Sequence, residues 1–214
     1  LTGTGRLLLS KLPAAGAGLW SPVWVDRVGN VQTIDPDWQF NPGTNNRGIS
    51  ISPDGNRIAV NLIEPGEAED IWIKQLPRRP FSRLTTDPIE DVRPRWTPDG
   101  TAITYLSRRS GDGAAGEADV WKIRADGIGE PELLLSSDIN LWEAVLSPDE
   151  EWVVARTGGQ AGASGGRDVV VGRRGNPDAE PLIVTNFDEK AIALSPDGRW
   201  LAHESDETGR NEVH

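Results

Sequence analysis

Four times in 214 residues the chain writes nearly the same corner: "ISPDGNRIAV" from Ile51, "WTPDGTAITY" from Trp96, "LSPDEEWVVA" from Leu146 and "LSPDGRWLAH" from Leu194. Within S/T-P-D-G, proline presets φ at the second turn position and aspartate at the third bonds locally to the backbone. Glycine at the fourth accepts a positive φ. Apolar residues alternate on both sides of the turn. Two before the prolines stand Ile51, Trp96, Leu146 and Leu194, and five after them Ile58, Ile103, Val153 and Leu201. Two further on come Val60, Tyr105, Ala155 and His203. Period-two columns flanking a turn make each copy a β-hairpin. The third copy carries Glu150 where the others have glycine. A non-glycine residue held at positive φ costs on the order of 1 kcal/mol, a defect one corner of a repeat can carry.

The corner prolines Pro53, Pro98, Pro148 and Pro196 lie 45, 50 and 48 residues apart. "TGTGRLLLS" near the start reads as a worn fifth copy with its corner at Gly5. A third strand recurs as "DIWIKQL" (70–76), "DVWKIRA" (119–125), "DVVVGRR" (168–174) and the shortened "NEVH" (211–214), with "VWVDRVG" (23–29) an earlier relative. A turn and a short fourth strand follow: "VQTI" (31–34), "FSRLT" (81–85), "ELLL" (132–135) and "PLIV" (181–184). Four strands repeating every 40–50 residues or so are the signature of a β-propeller blade. The expected fold is therefore all-β, a propeller of four-stranded antiparallel blades, with residues 1–214 forming a single propeller domain or propeller fragment. At about 48 residues per blade the chain holds about four to five of them. Because closure normally removes open sheet edges, it is expected to be part of a larger ring, six-bladed as one option.

Charge and composition narrow the function. Lys and Arg number 22 against 33 Asp and Glu, a formal charge of −11 that repels phosphate backbones and anionic lipid, so no nucleic-acid partner is expected. No apolar run is long enough for membrane insertion, and no signal peptide is visible. The absence of cysteine removes disulfides, thiol catalysis and Cys-based zinc sites. His203 and His214 alone are thin for a metal centre, so neither a cofactor nor a metal is implied. Asp70, Asp119 and Asp168 recur once per blade, the pattern of a structural hydrogen bond rather than of a catalytic pair, which is needed once. "TGGQAGASGGRD" (157–168) lacks the G-K-[ST] ending and the following helix of a phosphate loop, and "GDGAAGEAD" (111–119) fits no regular calcium spacing. With no G-x-S-x-G elbow and two histidines, no nucleophilic triad can be assembled. The chain reads as non-enzymatic, with a catalytic domain outside it left open.

In a propeller, loops from the fourth strand of one blade to the first of the next share a face with the loops between strands two and three. Here the first kind are "TDPIEDVRP", "SSDINLWEA" and "NFDEKA"; the second kind are "NLIEPGEAE", "RRSGDGAAGEA" and "TGGQAGASGGR". They vary while the strands stay regular, as expected where scaffold and recognition surface are separated. Trp142 and Glu143, with Arg47, Asp91, Arg93 and Lys190 in the same register, form the candidate ligand or partner site at the mouth of the ring. Trp24, Trp72, Trp96 and Trp121 fall in packing registers, while Trp152 and Trp200 are placed to cover a blade surface.

The stretch "RPRWTPDGTAITYLSRRSG…DVWKIRADGIGEPELL" resembles TolB-like (WD40-like) propellers, which carry P-x-W-[ST]-P-D-G, then S-x-R-x-G, then an acidic residue before an aromatic strand. "VWVDRVGNV" (23–31) and "LSPDGRWLAHESDETGRNEVH" (194–214) are similar in style to propellers attached to bacterial serine/threonine kinases. The resemblance implies a non-enzymatic scaffold for a protein or peptide partner, in a periplasmic or other extracytoplasmic setting, as a TolB-like or sensory module of a larger bacterial protein. The alternative is the substrate-gating propeller of a prolyl-oligopeptidase-type serine hydrolase whose catalytic domain lies outside this chain. A carbohydrate-active propeller is a third reading, against which the packing registers of the tryptophans speak.

Overall fold

A computed structural model describes residues 7–11 (backbone), 19–40, 48–77, 81–109, 117–158 and 166–214. Among these, every regular element is a strand. β1 (Leu7–Lys11), β2 (Ser21–Val25) and β3 (Val31–Thr33) form one sheet, and β4 (Ile49–Ile51), β5 (Arg57–Ile63), β6 (Glu69–Gln75) and β7 (Phe81–Arg83) the next. β8 (Asp91–Trp96), β9 (Ala102–Ser107), β10 (Asp119–Arg124) and β11 (Glu132–Leu135) make the third. β12 (Leu141–Leu146), β13 (Trp152–Thr157), β14 (Val169–Arg173) and β15 (Asn176–Ile183) make the fourth, and β16 (Lys190–Leu194), β17 (Leu201–Ser205) and β18 (Glu212–Val213) the fifth. In each sheet the strands lie side by side in chain order as an antiparallel meander, the architecture of propeller blades. The fifth copy proposed at Gly5 lies outside the described residues, although its continuation is β1. Several boundaries depart from the sequence reading: β2 ends at Val25 and β7 at Arg83, short of the stretches 23–29 and 81–85. "PLIV" (181–184) overlaps the end of an eight-residue strand that runs from Asn176 to Ile183. Arg174 and Gly175 close a two-residue hairpin, with Arg173 facing Asn176 and Gly175 at φ 79°.

The corners have the chemistry their sequence prescribes. The amide of the fourth turn residue donates to the carbonyl of the first: Gly55 to Ser52 (2.8 Å), Gly100 to Thr97, Glu150 to Ser147 and Gly198 to Ser195 (2.9 Å each). The first residue's hydroxyl donates to the turn aspartate, from Ser52 to Asp54 and from Ser147 to Asp149 at 2.5 Å, Ser195 to Asp197 at 2.6 Å and Thr97 to Asp99 at 2.7 Å. The same oxygen accepts an amide at or just before the start of the next strand, from Arg57, Ala102, Trp152 and Trp200. Those serine hydroxyls, and then a backbone amide two residues on, hold the carboxyls of Asp54, Asp149 and Asp197 below their ordinary value. Gly55, Gly100 and Gly198 sit at φ 70–73°, and Glu150 follows them at 58°.

Two compact units can be described, each by itself: residues 1–103 with 125–128, and residues 104–124 with 129–214. In the first, Trp38, Phe40, Ile58, Val60 and Leu62 are buried together, with Trp20, Ile34, Ile49, Trp72, Leu76 and Phe81 packed around them. Trp38 stacks on Phe40 and meets Phe81 edge-on, both at 5.2 Å. Arg57 bridges neighbouring sheets, its guanidinium 4.3 Å from the Trp96 ring centroid and donating to the Gly100 carbonyl at 2.7 Å. In the second unit, Val145, Val154, Val169 and Ile192 form the buried cluster, flanked by Val171, Ile183, Leu194 and Leu201. Here Leu135, fully buried, lies over Gly172, where a Cβ would come within 2.2 Å of its Cδ1. Strands β5, β9 and β13 are buried at nearly every position, whereas β7 is half-buried and β15 is largely exposed.

Candidate functional site

The candidate residues fall where first strands begin, and the backbone there is irregular. Pairing of β12 with β13 slips between Leu141 and Glu143, and pairing of β16 with β17 slips between Lys190 and Ala193. Such bulges re-aim side chains. Arg93 and Ala191, five residues before their corner prolines, hold φ at 56° and 54°, a conformation that non-glycine residues adopt only under constraint. The sequence reading put these residues in loops. The structure instead places Asp91 and Arg93 in β8, Trp142 and Glu143 in β12, and Lys190 at the head of β16. Asp91 is wholly buried, so it belongs to the wall of its sheet rather than to an open surface. Arg47 lies outside the described residues.

In the first unit Arg93 is positioned by Asn61, a buried side chain near the end of β5. Its Oδ1 accepts the amides of Gly48 at 2.7 Å and Arg93 at 3.4 Å, and its Nδ2 donates to Glu69 at 2.8 Å. Gly48 is required here: a Cβ would stand 2.6 Å from the Arg93 Cα. In the second unit Trp142 and Glu143 are half-buried, and the Trp142 ring packs where a Gly158 Cβ would lie at 3.5 Å. Glu143 faces Arg156 across the β12–β13 ladder, with Arg156 Nε 3.4 Å from Glu143 Oε2. Arg167 pairs with Asp188 at 2.9 Å, and a parallel bridge joins their backbones. That contact brings the segment between strands two and three of the fourth sheet against the start of the fifth, two loop kinds expected to share a face. Lys190 lies 3.5 Å from Glu204. Burial pushes Arg156 below its usual pKa, Glu143 opposing, with the like charge of Arg167 adding to the depression.

The repeated acids mostly serve as strand clasps. Asp70 accepts Thr85 Oγ1 at 3.0 Å and Arg83 Nη2, tying β6 to the chain leaving β7; burial raises its pKa against those two partners. Asp119 accepts the Ser137 amide at 3.4 Å. Asp168 differs: its backbone amide donates to Thr157 Oγ1. His203 is packed, its Nε2 3.0 Å from the buried Glu189 and its ring stacked on His214 at 5.6 Å. Trp152 and Trp200 are 44% and 70% exposed, so they are themselves open to solvent; Arg173 lies over the Trp152 ring at 5.5 Å. Among the described residues no group of three or more His, Asp or Glu side chains is arranged to hold a metal ion.

Sequence reasoning missed Arg156, Arg167 and Asp188. A signal existed for Arg156: eight residues after the corner prolines come Asn61, Leu106, Arg156 and Glu204, a column with three polar residues in otherwise apolar second strands.

Residues 39–214 match the family model for the TolB beta propeller domain. The fold is similar to that of TolB from Acinetobacter baumannii, with a TM-score of 0.73 at 20% identity over 98% of this chain and 48% of that one. It is similar also to that of a protein described as putative TolB from Agrobacterium tumefaciens, with a TM-score of 0.65 at 19% identity over 93% of this chain and 70% of that one. A structure from a study of two prolyl endopeptidases matches with a TM-score of 0.63 at 15% identity over 98% of this chain and 32% of that one. The chain thus spans about half the length of the Acinetobacter TolB.

Proposed function

The chain belongs to the TolB beta propeller domain family, and on that premise we propose that it is a non-enzymatic scaffold that binds a protein or peptide, as a periplasmic or other extracytoplasmic module of a larger bacterial protein. The observation that carries this reading is the Arg167–Asp188 junction, which gathers segments of two sheets near the Glu143–Arg156 pair. Regular strands hold the charged and aromatic groups, and irregular backbone at the strand heads aims them, a division suited to recognition. In the second unit Trp142, Glu143 and Lys190 are the proposed contact residues; in the first, Arg93 is a separate candidate with Asp91 supporting from within its strand, and Arg47 lies outside the described residues.

The test is selection of a displayed random-peptide library on the purified protein, followed by calorimetry on the enriched sequences. Binding should weaken about tenfold or more in Trp142→Ala and Lys190→Ala and stay unchanged in Trp200→Ala. No enrichment, or affinities indifferent to Trp142 and Lys190, removes the reading. The similarity to the prolyl endopeptidase fold favours a second reading, a propeller that gates access to a serine hydrolase domain. Labelling of the natural full-length polypeptide by a fluorophosphonate would support the gate, and an unlabelled polypeptide would remove it.

A further inference from the structure

Arg156 stands one residue from the end of β13 and is only 8% exposed. A guanidinium offers five N–H donors. Here Nε reaches Glu143 Oε2 at 3.4 Å and Nη1 reaches the Thr157 carbonyl at 3.3 Å, both long for hydrogen bonds to a charged group. Among the described residues Nη2 donates to no protein acceptor. Its second cation, Arg167, already has its own carboxylate in Asp188. The buried Arg156 guanidinium therefore keeps donors to spare, and burial outweighs the carboxylates of Glu143 and Asp188 in lowering its pKa.

We propose that Arg156 is an anchor for a single carboxylate of a peptide ligand, received beside Trp142 with Arg167 as the flanking charge; this rests on the peptide-binding reading above. Unfilled donors on a nearly buried guanidinium fit a planar carboxylate, which accepts two parallel N–H bonds. The surroundings limit the ligand further. Glu143 and Asp188 each lie against one of the two arginines, and the chain as a whole carries −11, so a polyanion is repelled where an isolated carboxylate is held. The ligand class is a peptide with one acidic side chain among neutral or basic neighbours.

Calorimetry at low ionic strength with acetyl-Lys-Ala-Glu-Ala-Lys-amide and its Gln counterpart tests this. The Glu peptide should bind about tenfold tighter than the Gln peptide. Arg156→Gln should erase that preference, and Arg156→Lys, which keeps the charge but not the fork, should reduce it with little change in melting temperature. Equal binding of the two peptides, or a preference that survives in both variants, overturns the anchor. Arg156-dependent binding of digalacturonate without binding of the Glu peptide overturns the peptide assignment. Library-selected peptides that lack acidic residues yet depend on Trp142 would leave the scaffold standing and remove the anchor alone.

Discussion

Glu150 occupies the fourth corner position at φ 58°, within 15° of its glycine counterparts at 70–73°, and makes the same 2.9 Å bond to the Ser147 carbonyl. The turn is dictated by the surrounding Ser-Pro-Asp chemistry, and the side chain bears the strain. Relief of that strain is worth about 1 kcal/mol. Against it stands one contact, Glu150 Oε2 to Lys122 Nζ at 3.7 Å, between partly exposed groups and worth about 0–1 kcal/mol. Glu150→Gly should therefore leave the melting temperature unchanged or raise it by up to about 3 °C, measured by calorimetry. A clear fall would show that the Lys122 contact outweighs the backbone. Gly48 is the converse case, where glycine is demanded by a neighbour's Cα at 2.6 Å rather than by its own φ.

Between elements, the sheets of the second unit interlock through small residues. Leu135, at the end of β11, is fully buried over Gly172 in β14, and a Cβ there would lie 2.2 Å from Leu135 Cδ1. Gly172→Ala should lower stability by about 1–3 kcal/mol through overpacking. Combining it with Leu135→Val should recover part of that loss, a coupling that chemical denaturation of the four variants would measure. Additive losses would mean that the two sheets adjust independently. This registry was invisible in the linear chain, because Gly172 reads there as an ordinary strand glycine. The corners were legible for the opposite reason: their hydroxyl–carboxylate–amide network is closed within six residues, from Ser52 to Arg57 in the first copy. The strand-three acids were legible as structural, with the clasps of Asp70 and Asp119 as the outcome. The site was only half legible. Register brought Trp142, Glu143 and Lys190 near the heads of first strands, though as loop residues, whereas the Glu143–Arg156 and Arg167–Asp188 pairs form across strands and sheets, and Asp91 is buried.

At the scale of the whole molecule, the excess of 33 acidic over 22 basic residues sets how a ligand arrives, independently of what holds it. A field of that sign repels an acidic ligand at long range even where a local arginine would bind its carboxylate. Within about 10 Å at 0.1 M salt the local charges take over from the global one. A peptide with basic flanks around one carboxylate meets both conditions: the flanks are drawn in by the net charge, and the carboxylate is handed to Arg156. Association of the Lys-flanked Glu peptide should therefore slow as ionic strength rises, while its dissociation rate changes little, because steering acts on encounter more than on the formed contact. Stopped-flow fluorescence of the half-buried Trp142, with Trp142→Phe as the control for the signal, gives both rates across a salt series. An association rate flat with salt would mean that the surface charge plays no part in recognition. A salt effect confined to dissociation would place the whole electrostatic contribution in the bound contact, at Arg156 and its neighbours.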